Sequence, residues 1–277
     1  MTLHELLRRT ASRLLPVSGE DAPAEARELV SFALGRRIGF ADAELEPDAG
    51  VLDRLETAIE RRLDHEPLQY VIGEWDLMGL TFAVNPAVLI PRQDTETLVI
   101  EAERLINERS YASLLDLCTG SGCIGLSLAA RTGIAAVLSD ISDEALSVAS
   151  ENAARLAPGT ECVKSDLFAA LKGRRFDIIT VNPPYIPSAV IETLSAEVRR
   201  EPRLALDGGA DGLAFYRRIA EEYRDHLSPG GALVMEIGFD QGESVPALFR
   251  GHGEVSVTYD LGGNPRAVTV IPGILKG

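Results

Sequence analysis

The chain has 277 residues, of which 45% are hydrophobic and 25% are charged, the composition of an ordinary folded protein with a sizeable core. Its 42 acidic and 27 basic residues give a net charge of −15, which argues against a protein that grips bare nucleic acid through its phosphates. The three cysteines and four histidines have neither a disulfide nor a zinc-site spacing, and no apolar run is long enough to span a bilayer, so we expect a cytoplasmic protein without a metal.

Residues 1–65 are predicted to form a small domain of three amphipathic helices. Apolar residues recur at helical spacing within 3–14, 26–34 and 51–63. Short loops between such helices are typical of a bundle. The bundle could be a structural cap on the rest of the chain or a docking surface for a partner, and the residues themselves favour neither.

Residues 66–93 are predicted to form a β-hairpin that links this bundle to the next domain. The stretches 70–73 and 80–84 have strand composition, and Gly79 suits the turn between them. After the hairpin, Asp94 is a plausible N-cap of a helix that carries Glu96 in its first turn.

From about residue 112 the sequence alternates between strand and helix patterns. Strands are predicted at 114–117, 135–139, 161–164, 178–181 and 232–237, with helices such as 143–156 and 213–226 between them. This alternation predicts an α/β fold with a mainly parallel sheet and helices on both faces. The last two strands, 255–259 and 267–271, leave no room for a helix between them and should pair antiparallel.

A glycine-rich loop lies between the first strand of this alternation and the helix that follows it. Gly120, Gly122 and Gly125 match the pattern G-x-G-x-x-G, which lets backbone N–H groups approach a ligand at a helix N-terminus. Asp140 follows the second strand, where an acidic residue can bind ribose hydroxyls. Together these features predict a site for an adenosine-type cofactor, with a simple tight turn as the alternative.

The residues around the loop leave two cofactor classes open. A dinucleotide enzyme needs the helix N-terminus for a pyrophosphate. In a methyltransferase, Asp116 would meet the amino acid end of S-adenosylmethionine through water or backbone, unless it only caps or braces the loop. Asp166 and Leu167, after the third strand, could hold the adenine amine and ring, or could be an ordinary helix start. Cys118 and Cys123 are expected to be small packing groups.

The stretch Asn182-Pro183-Pro184-Tyr185 follows the fourth strand of the alternation. Proline restricts φ and lacks an N–H group, so two successive prolines make a stiff loop. A stiff loop at a strand end can hold an amide and an aromatic ring at a set angle to a bound planar group. Asn-Pro also begins ordinary surface turns, so the tetrapeptide alone does not decide between these roles.

Asp116 with the glycine loop, Asp140, and the stretch 182–185 together resemble the class I amino-methyltransferases. The resemblance implies that the four-residue motif binds a planar nitrogen that is methylated. Two branches use this motif: adenine-N6 methyltransferases of nucleic acid and glutamine-N5 methyltransferases of protein.

Further stretches are similar to the peptide chain release factor glutamine methyltransferases (PrmC/HemK), from the N-terminal helices to the end of the chain. They are 67-PLQYVIG-73, 79-GLTF-82, 89-LIPR-92, 95-TE-96, 201-EP-202, 205-AL-206, 208-GG-209, 211-DGL-213 and 216-YR-217. The resemblance implies a Rossmann-like, seven-stranded methyltransferase domain at 94–277, a hairpin linker at 66–93 and a substrate-docking helical domain at 1–65.

The same resemblance implies S-adenosylmethionine as donor and the glutamine of the Gly-Gly-Gln loop of class 1 release factors as acceptor, with no direct nucleic acid or membrane partner. The implied catalytic residues are Asn182, Pro183 and Tyr185, and Pro184 joins them in binding the substrate. The expected cofactor-binding residues are Asp116, Cys118, Thr119, Gly120, Ser121, Gly122, Asp140, Ile141, Asp166, Leu167 and Asn182.

The chain departs from the family pattern at two places. The family usually has glycine at the position of Cys118 and Pro-Glu at the position of Gln93-Asp94. The first change lies in the glycine loop and bears on cofactor affinity, whereas neither change touches the acceptor motif. Two further polar residues are less clear: we interpret Glu236 as structural and leave the role of Arg92 open.

A carboxamide nitrogen is a poor nucleophile because its lone pair is delocalised into the carbonyl group. We therefore expect the acceptor N–H groups to donate to the Asn182 side-chain oxygen and the Pro183 carbonyl, with Tyr185 packed on the amide plane. The proton would leave after methyl transfer, so no strong base is needed. Three alternative functions remain. An adenine-N6 methyltransferase would need a basic face, and a dinucleotide oxidoreductase would leave 182–185 without a role. The third alternative is a non-catalytic binding module.

Overall fold

The computed structural model describes residues 1–273, and the chain forms two compact units. The first unit contains residues 1–74 together with 195–200, and the second contains residues 75–194 and 201–273. The functional division predicted above, at 1–65, 66–93 and 94–277, stays a prediction.

The first unit is helical, as the apolar periodicity predicts. Its helices are α1 (Leu3–Ser18), α2 (Ala22–Leu34), α3 (Ala49–Leu63) and α4 (Leu68–Ile72). Thr2 and Glu5 form a capping box at the start of α1, and the Asp48 side chain accepts a hydrogen bond from the Val51 N–H (2.9 Å) at the start of α3. Local sequence signals therefore account for where these helices begin.

The predicted strand at 70–73 is wrong, because this stretch forms the short helix α4 instead. Pro67 stands at its N-terminal boundary, and Gly73 ends it at φ +86°, a left-handed conformation that glycine adopts at low cost. A short apolar run suits either a strand or a helix. Here the flanking proline and glycine, which are common at the beginning and end of helices, indicate the helix more reliably than the apolar composition indicates a strand.

Arg62 is the buried charge of the first unit. Its side chain is 1% exposed, and its guanidinium donates to Glu25 (Nε–Oε2 2.8 Å) and to Glu197 (Nη2–Oε1 2.6 Å). Glu197 lies in the segment 195–200, far along the chain from the helices it joins. The first unit is thus completed by a carboxylate that its own N-terminal sequence does not contain.

The second unit begins with the two-stranded hairpin and continues as an α/β sheet. Its elements in chain order are β1 (Glu74–Leu77), β2 (Leu80–Ala83), α5 (Thr95–Arg109), β3 (Ser113–Leu117), α6 (Cys123–Thr132), β4 (Ala135–Asp140), α7 (Asp143–Leu156), β5 (Glu161–Lys164), β6 (Phe176–Val181), α8 (Arg203–Leu206), α9 (Ala214–Glu222), β7 (Leu227–Glu236), α10 (Ser244–Leu248), β8 (Gly253–Tyr259) and β9 (Pro265–Pro272). Strand β1 opens on Glu74, where the N-terminal stretch of the first unit ends.

The predicted seven-stranded, mainly parallel sheet is confirmed. The strand order is β5-β4-β3-β6-β7-β9-β8, with parallel pairing from β5 to β7 and antiparallel pairing of β9 with both β7 and β8. From β3, the chain adds β4 and β5 on one side of the sheet and then β6 and β7 on the other side, so the order of strand addition reverses at β3. Open sheets of this kind bind ligands at such a reversal, beyond the carboxyl ends of the strands.

The sheet is covered on its two faces by separate apolar clusters. One cluster packs β3, β6, β7 and β9 against α9 and α10, and the other packs the opposite face against α5 and α6. Burial on both faces explains why the central strands read as continuous apolar runs in the sequence. Among the described residues, no helix is both long and apolar enough to cross a bilayer.

Asp94 occupies the N-cap position of α5 but does not cap the helix with its side chain, which corrects the sequence prediction. Its backbone is already helical (φ −57°, ψ −33°), whereas a capping side chain needs an extended backbone to reach the free N–H groups. The Asp94 carboxylate instead forms an ion pair with Arg266 of β9 (2.9 Å).

Candidate active site

A cleft lies at the carboxyl ends of β3, β4, β5 and β6. Most of the predicted site residues line it: Cys118, Thr119, Gly120, Ser121, Asp140, Ile141, Asp166, Leu167, Asn182 and Pro184. Asp116, Gly122, Pro183 and Tyr185 do not appear on its wall. The topology therefore brings residues from four distant stretches of sequence together at one edge of the sheet, as the strand-end positions predict.

The glycine loop is braced from below by Asp116. This side chain is fully buried, and its carboxylate accepts hydrogen bonds from Thr119 Oγ1 (2.5 Å), Thr180 Oγ1 (2.8 Å) and the Gly125 N–H (3.1 Å). Burial raises the pKa of Asp116 to about 6, against the opposing effect of these bonds. The carboxylate faces the loop rather than the cleft, which favours the bracing role over contact with the cofactor.

Gly125 lets helix α6 approach the sheet closely. A Cβ atom there would lie 2.4 Å from Leu138 Cδ2 and 3.0 Å from Asp116 Cβ, so any side chain would push the helix away from β3 and β4. The third glycine of the motif therefore serves helix-to-strand packing.

Cys118 adopts a backbone conformation that suits glycine. Its φ is +52°, in the left-handed region that costs a side-chain-bearing residue about 1–2 kcal/mol. Burial raises the pKa of its thiol, so the group stays neutral and serves as a small apolar side chain at the cleft. The geometry thus explains why glycine suits this position.

Asp140 ends β4 and points its carboxylate toward both the glycine loop and the cleft. Oδ2 accepts from the Gly120 N–H (2.9 Å) and Oδ1 from the Ser142 N–H (3.0 Å). Burial raises its pKa, although these backbone bonds oppose the shift. An acidic side chain held in this way at the second strand end is suited to accept hydrogen bonds from ribose hydroxyls.

Asn152 is a site-building residue that the sequence analysis missed. It is fully buried on α7, and its amide nitrogen donates to the carbonyls of Ser121 (2.9 Å) and Ala83 (3.0 Å), while its oxygen accepts from the Ala83 N–H (2.7 Å). The side chain therefore joins the glycine loop to the hairpin. The available signal was a polar residue on the otherwise apolar face of a predicted helix.

The predicted adenine pocket lies at the end of β5. Leu167 is buried and lines the cleft at φ +49°, a strained value for a branched residue. The Asp166 carboxylate is held by Arg218 of α9 (Nη2–Oδ1 2.8 Å), and Arg218 lines the same cleft. Arg218 is a second residue that the sequence analysis did not single out.

The loop 182–185 is clamped by a glycine-rich stretch that follows α8. A Cβ atom on Gly208 would lie 2.7 Å from Tyr185 Cα, and one on Gly212 would lie 2.3 Å from the Tyr185 carbonyl oxygen. Gln241 also donates to that carbonyl oxygen (3.3 Å). Two prolines stiffen the loop from within, and these contacts hold it from outside.

Tyr185 packs against the main core cluster rather than on the cleft wall. Burial raises the pKa of its hydroxyl, so the ring stays neutral. Its predicted contact with an acceptor amide, like the predicted role of the Pro183 carbonyl, stays a prediction.

Glu236 lies at the end of β7, beside the loop 182–185. Its side chain is 2% exposed, and Oε2 has no hydrogen-bond partner among the described residues. Burial raises its pKa to about 7, against smaller opposing effects that include hydrogen bonding from Thr95 and Asn182. A buried carboxyl group with an unused oxygen is costly and calls for an explanation.

Arg92 lies on the cleft wall, and Glu201 fixes its position. Glu201 is 5% exposed, pairs with the Arg92 guanidinium and accepts a hydrogen bond from the Ile90 N–H (3.0 Å). The pair therefore ties the stretch before α5 to the stretch before α8, both of which line the cleft.

These residues fit an adenosine-type methyl donor. Asp140 and Asp166 offer carboxylates to the cleft, and Cys118, Gly120 and Ser121 present the glycine loop to it. Among the described residues, no cluster of three histidine, cysteine or acidic side chains could hold a metal ion.

Comparison with known proteins agrees with this geometry. The family model of the methyltransferase small domain matches residues 94–199, and that of the PrmC N-terminal domain matches residues 5–73. The release factor glutamine methyltransferase of Moorella thermoacetica is 45% identical over 262 residues, 91% of each chain. That of Caulobacter vibrioides is 42% identical over 278 residues, 97% of this chain and 96% of the relative.

Solved structures share the fold at lower identity. A methyltransferase from Pyrococcus furiosus has a TM-score of 0.54 at 18% identity, covering 79% of this chain and all of that chain. The human METTL16 catalytic domain, solved with hairpin 6 of the MAT2A 3′UTR, has a TM-score of 0.55 at 17% identity, covering 84% and 86%. These two structures establish the methyltransferase fold and nothing narrower.

Proposed function

The chain belongs to the release factor glutamine methyltransferase family, and from this premise we propose how its residues perform the reaction. It transfers a methyl group from S-adenosylmethionine to the side-chain amide nitrogen (N5) of the glutamine in the Gly-Gly-Gln loop of class 1 peptide chain release factors. The observation that carries the proposal is the stiff, clamped loop 182–185 at the same cleft as the glycine loop.

S-adenosylmethionine supplies a methyl group already activated by its sulfonium. Asp140 would accept hydrogen bonds from the ribose hydroxyls, and Asp166 with Leu167 would hold the adenine amine and ring. The glycine loop at 118–122 and Ile141 would also contact the cofactor. Asp116 acts through the loop that it braces.

The acceptor glutamine places its amide against the loop 182–185. Its N–H groups donate to the Asn182 side-chain oxygen and the Pro183 carbonyl, which localises electron density on the nitrogen as it approaches the methyl group. Pro184 and Tyr185 support the amide plane. The N–CH₃ bond would form as the S–CH₃ bond breaks, and one N–H proton would then be lost to water, so no strong base is required. Most of the rate enhancement comes from positioning, worth roughly 7–11 kcal/mol in well-oriented systems.

The helical N-terminal domain helps to hold the release factor, and the acidic net charge of −15 suits a protein partner with a basic surface. The reaction takes place in the cytoplasm, where release factors act on ribosomes. An adenine-N6 acceptor is the weaker candidate because a nucleic acid substrate normally requires a basic face.

The test is methyl transfer to a purified class 1 release factor. The protein is incubated with labelled S-adenosylmethionine and the release factor, and the modified residue is located by mass spectrometry. We expect label on the glutamine of the Gly-Gly-Gln loop and none when that glutamine is replaced by asparagine. Label on nucleic acid, or equal label on the replaced factor, would contradict the proposal.

A further inference from the structure

Glu236 and Asn182 lie side by side because of the register of the sheet. Strands β6 and β7 are parallel, and Val181 is the register partner of Met235. The next residues along the two strands are Asn182 and Glu236, which therefore leave the same edge of the sheet next to each other. The Asn182 side chain, whose oxygen is proposed above to accept hydrogen bonds from the substrate amide, therefore has the buried carboxyl group of Glu236 as its neighbour.

We propose that Glu236, as a carboxylate, is a positioning residue that orients the Asn182 amide, an inference that rests on the proposed function. A carboxylate can only accept hydrogen bonds. The Glu236 carboxylate therefore accepts a hydrogen bond from the Asn182 NH₂ group, which turns the Asn182 oxygen toward the amide of the substrate glutamine. Without such a partner an asparagine amide can rotate by half a turn and present its NH₂ group instead, which would face the N–H groups of the substrate.

The burial of Glu236 supports this role. The side chain is 2% exposed and Oε2 lacks a partner among the described residues, so the fold retains a costly group that packing alone does not require. Its backbone carbonyl accepts from Tyr216 Oη (2.7 Å), which holds the strand end in place. The proposal adds a role in the reaction to the structural role expected from the sequence.

Protonation of Glu236 would reverse the orientation. A neutral carboxyl group can donate to the Asn182 oxygen, which leaves the NH₂ group toward the acceptor. Because burial raises the pKa of Glu236 to about 7, the group is neutral below this range and ionised above it, so the turnover rate should fall as the pH drops.

The surrounding charges act on Glu236 in known directions. Arg266 favours its ionised form and Asp94 opposes it. Burial raises the pKa values of Tyr185 and Cys123, the latter to about 12, and the charge of Glu236 adds a smaller effect in the same direction, so both groups stay neutral over the pH range tested. The carboxamide and the sulfonium do not titrate there either.

Two other buried acids could also give an acidic limb. Burial raises the pKa of Asp116 to about 6, and it raises the pKa of Asp140. A substitution of Glu236 is therefore needed to assign the limb, and the cofactor is kept saturating so that its binding does not contribute.

The experiment measures kcat for release factor methylation from pH 5.5 to 8.5. For the unsubstituted protein we expect kcat to fall up to tenfold per pH unit on the acidic side. Glu236→Gln keeps the size but not the charge, and its amide can present either end to Asn182. We expect its kcat to be about tenfold lower at pH 8, with the acidic limb lost and the cofactor Kd unchanged.

Glu161→Gln provides the matched control, because Glu161 lies exposed on edge strand β5 in an ion pair with Arg174. It should keep the original profile. An unchanged pH profile of kcat in Glu236→Gln would overturn the inference. A flat pH profile in the unsubstituted protein would also overturn it, and this measurement does not depend on whether a variant folds. Absence of glutamine methylation by the unsubstituted protein would instead contradict the proposed function.

Discussion

Two buried carboxyl groups lie on neighbouring parts of the same sheet, Asp116 on β3 and Glu236 at the end of β7, and they differ in their hydrogen bonding. Asp116, under the glycine loop, has three hydrogen-bond donors from the protein, whereas Glu236, beside the acceptor loop, keeps one oxygen without a partner among the described residues. The contrast holds for the two carboxyl groups only, because the buried hydroxyls of Ser121 and Ser139 beside the glycine loop also have no partner among the described residues. We infer that the Asp116 carboxyl group is built for shape and the Glu236 carboxyl group for the reaction.

This contrast predicts the largest effect at Asn182. Asn182→Ala removes the acceptor oxygen but no bond of the glycine loop, so we expect kcat to fall by about 10²–10³, the usual cost of losing one preorganised partner. The cofactor Kd should stay within a few-fold of its original value in calorimetry. Asn107→Ala, on the exposed face of α5, is the matched control. Near-normal turnover of Asn182→Ala would refute the mechanism.

Under the glycine loop, Asp116→Ala should affect stability more than chemistry. It leaves two hydroxyl groups and the Gly125 N–H without their acceptor in a buried site, so we expect the free energy of unfolding to fall by about 3 kcal/mol. Urea denaturation with the folded baseline monitored by circular dichroism measures this loss. A change below about 1 kcal/mol would show that the loop does not depend on this brace.

Asp140→Ala tests the cofactor site by affinity. Loss of the carboxylate should weaken cofactor binding roughly tenfold or more, because hydrogen bonds to charged groups contribute about 1.5–3 kcal/mol. The kcat at saturating cofactor should change much less. Asp143→Ala, nearby but exposed and paired with Lys164, should leave the Kd unchanged. An unaltered Kd in Asp140→Ala would remove this residue from the cofactor site.

The smallest expected effect is at Cys118. Cys118→Gly relieves a left-handed backbone at φ +52° but also removes a side chain that packs against the main core. These opposing terms should leave a net gain in the free energy of unfolding of less than about 1 kcal/mol. A loss of more than 1 kcal/mol in denaturant unfolding would mean that packing of the thiol outweighs backbone strain.

Much of the fold follows from local sequence signals. The strand and helix alternation after residue 112 predicted the parallel sheet, and the short link between the last two strands predicted their antiparallel pairing, because both depend on patterns within a few residues. The error at 70–73 has a local cause, since a short apolar run between proline and glycine suits two elements.

The parts that could not be predicted depend on register between distant strands. Nothing near Glu236 in the sequence indicates that it neighbours Asn182, because the pairing of Val181 with Met235 exists only in the folded sheet. Asn152 and Arg218 likewise reach the site from helices. The sequence patterns of these helices predict which residues are buried or exposed, but not which residues they contact. The sequence shows the types of these residues, but it does not predict which residues they contact in the fold.

The ion pairs of Arg62 have a consequence for biosynthesis. The N-terminal helices leave the ribosome first, yet the second carboxylate for this buried cation is Glu197, which is translated much later. Until then the nascent helical unit carries an incompletely paired internal charge, which disfavours early consolidation. We therefore expect the first unit to reach full protease resistance only after the chain has been extended well past residue 200.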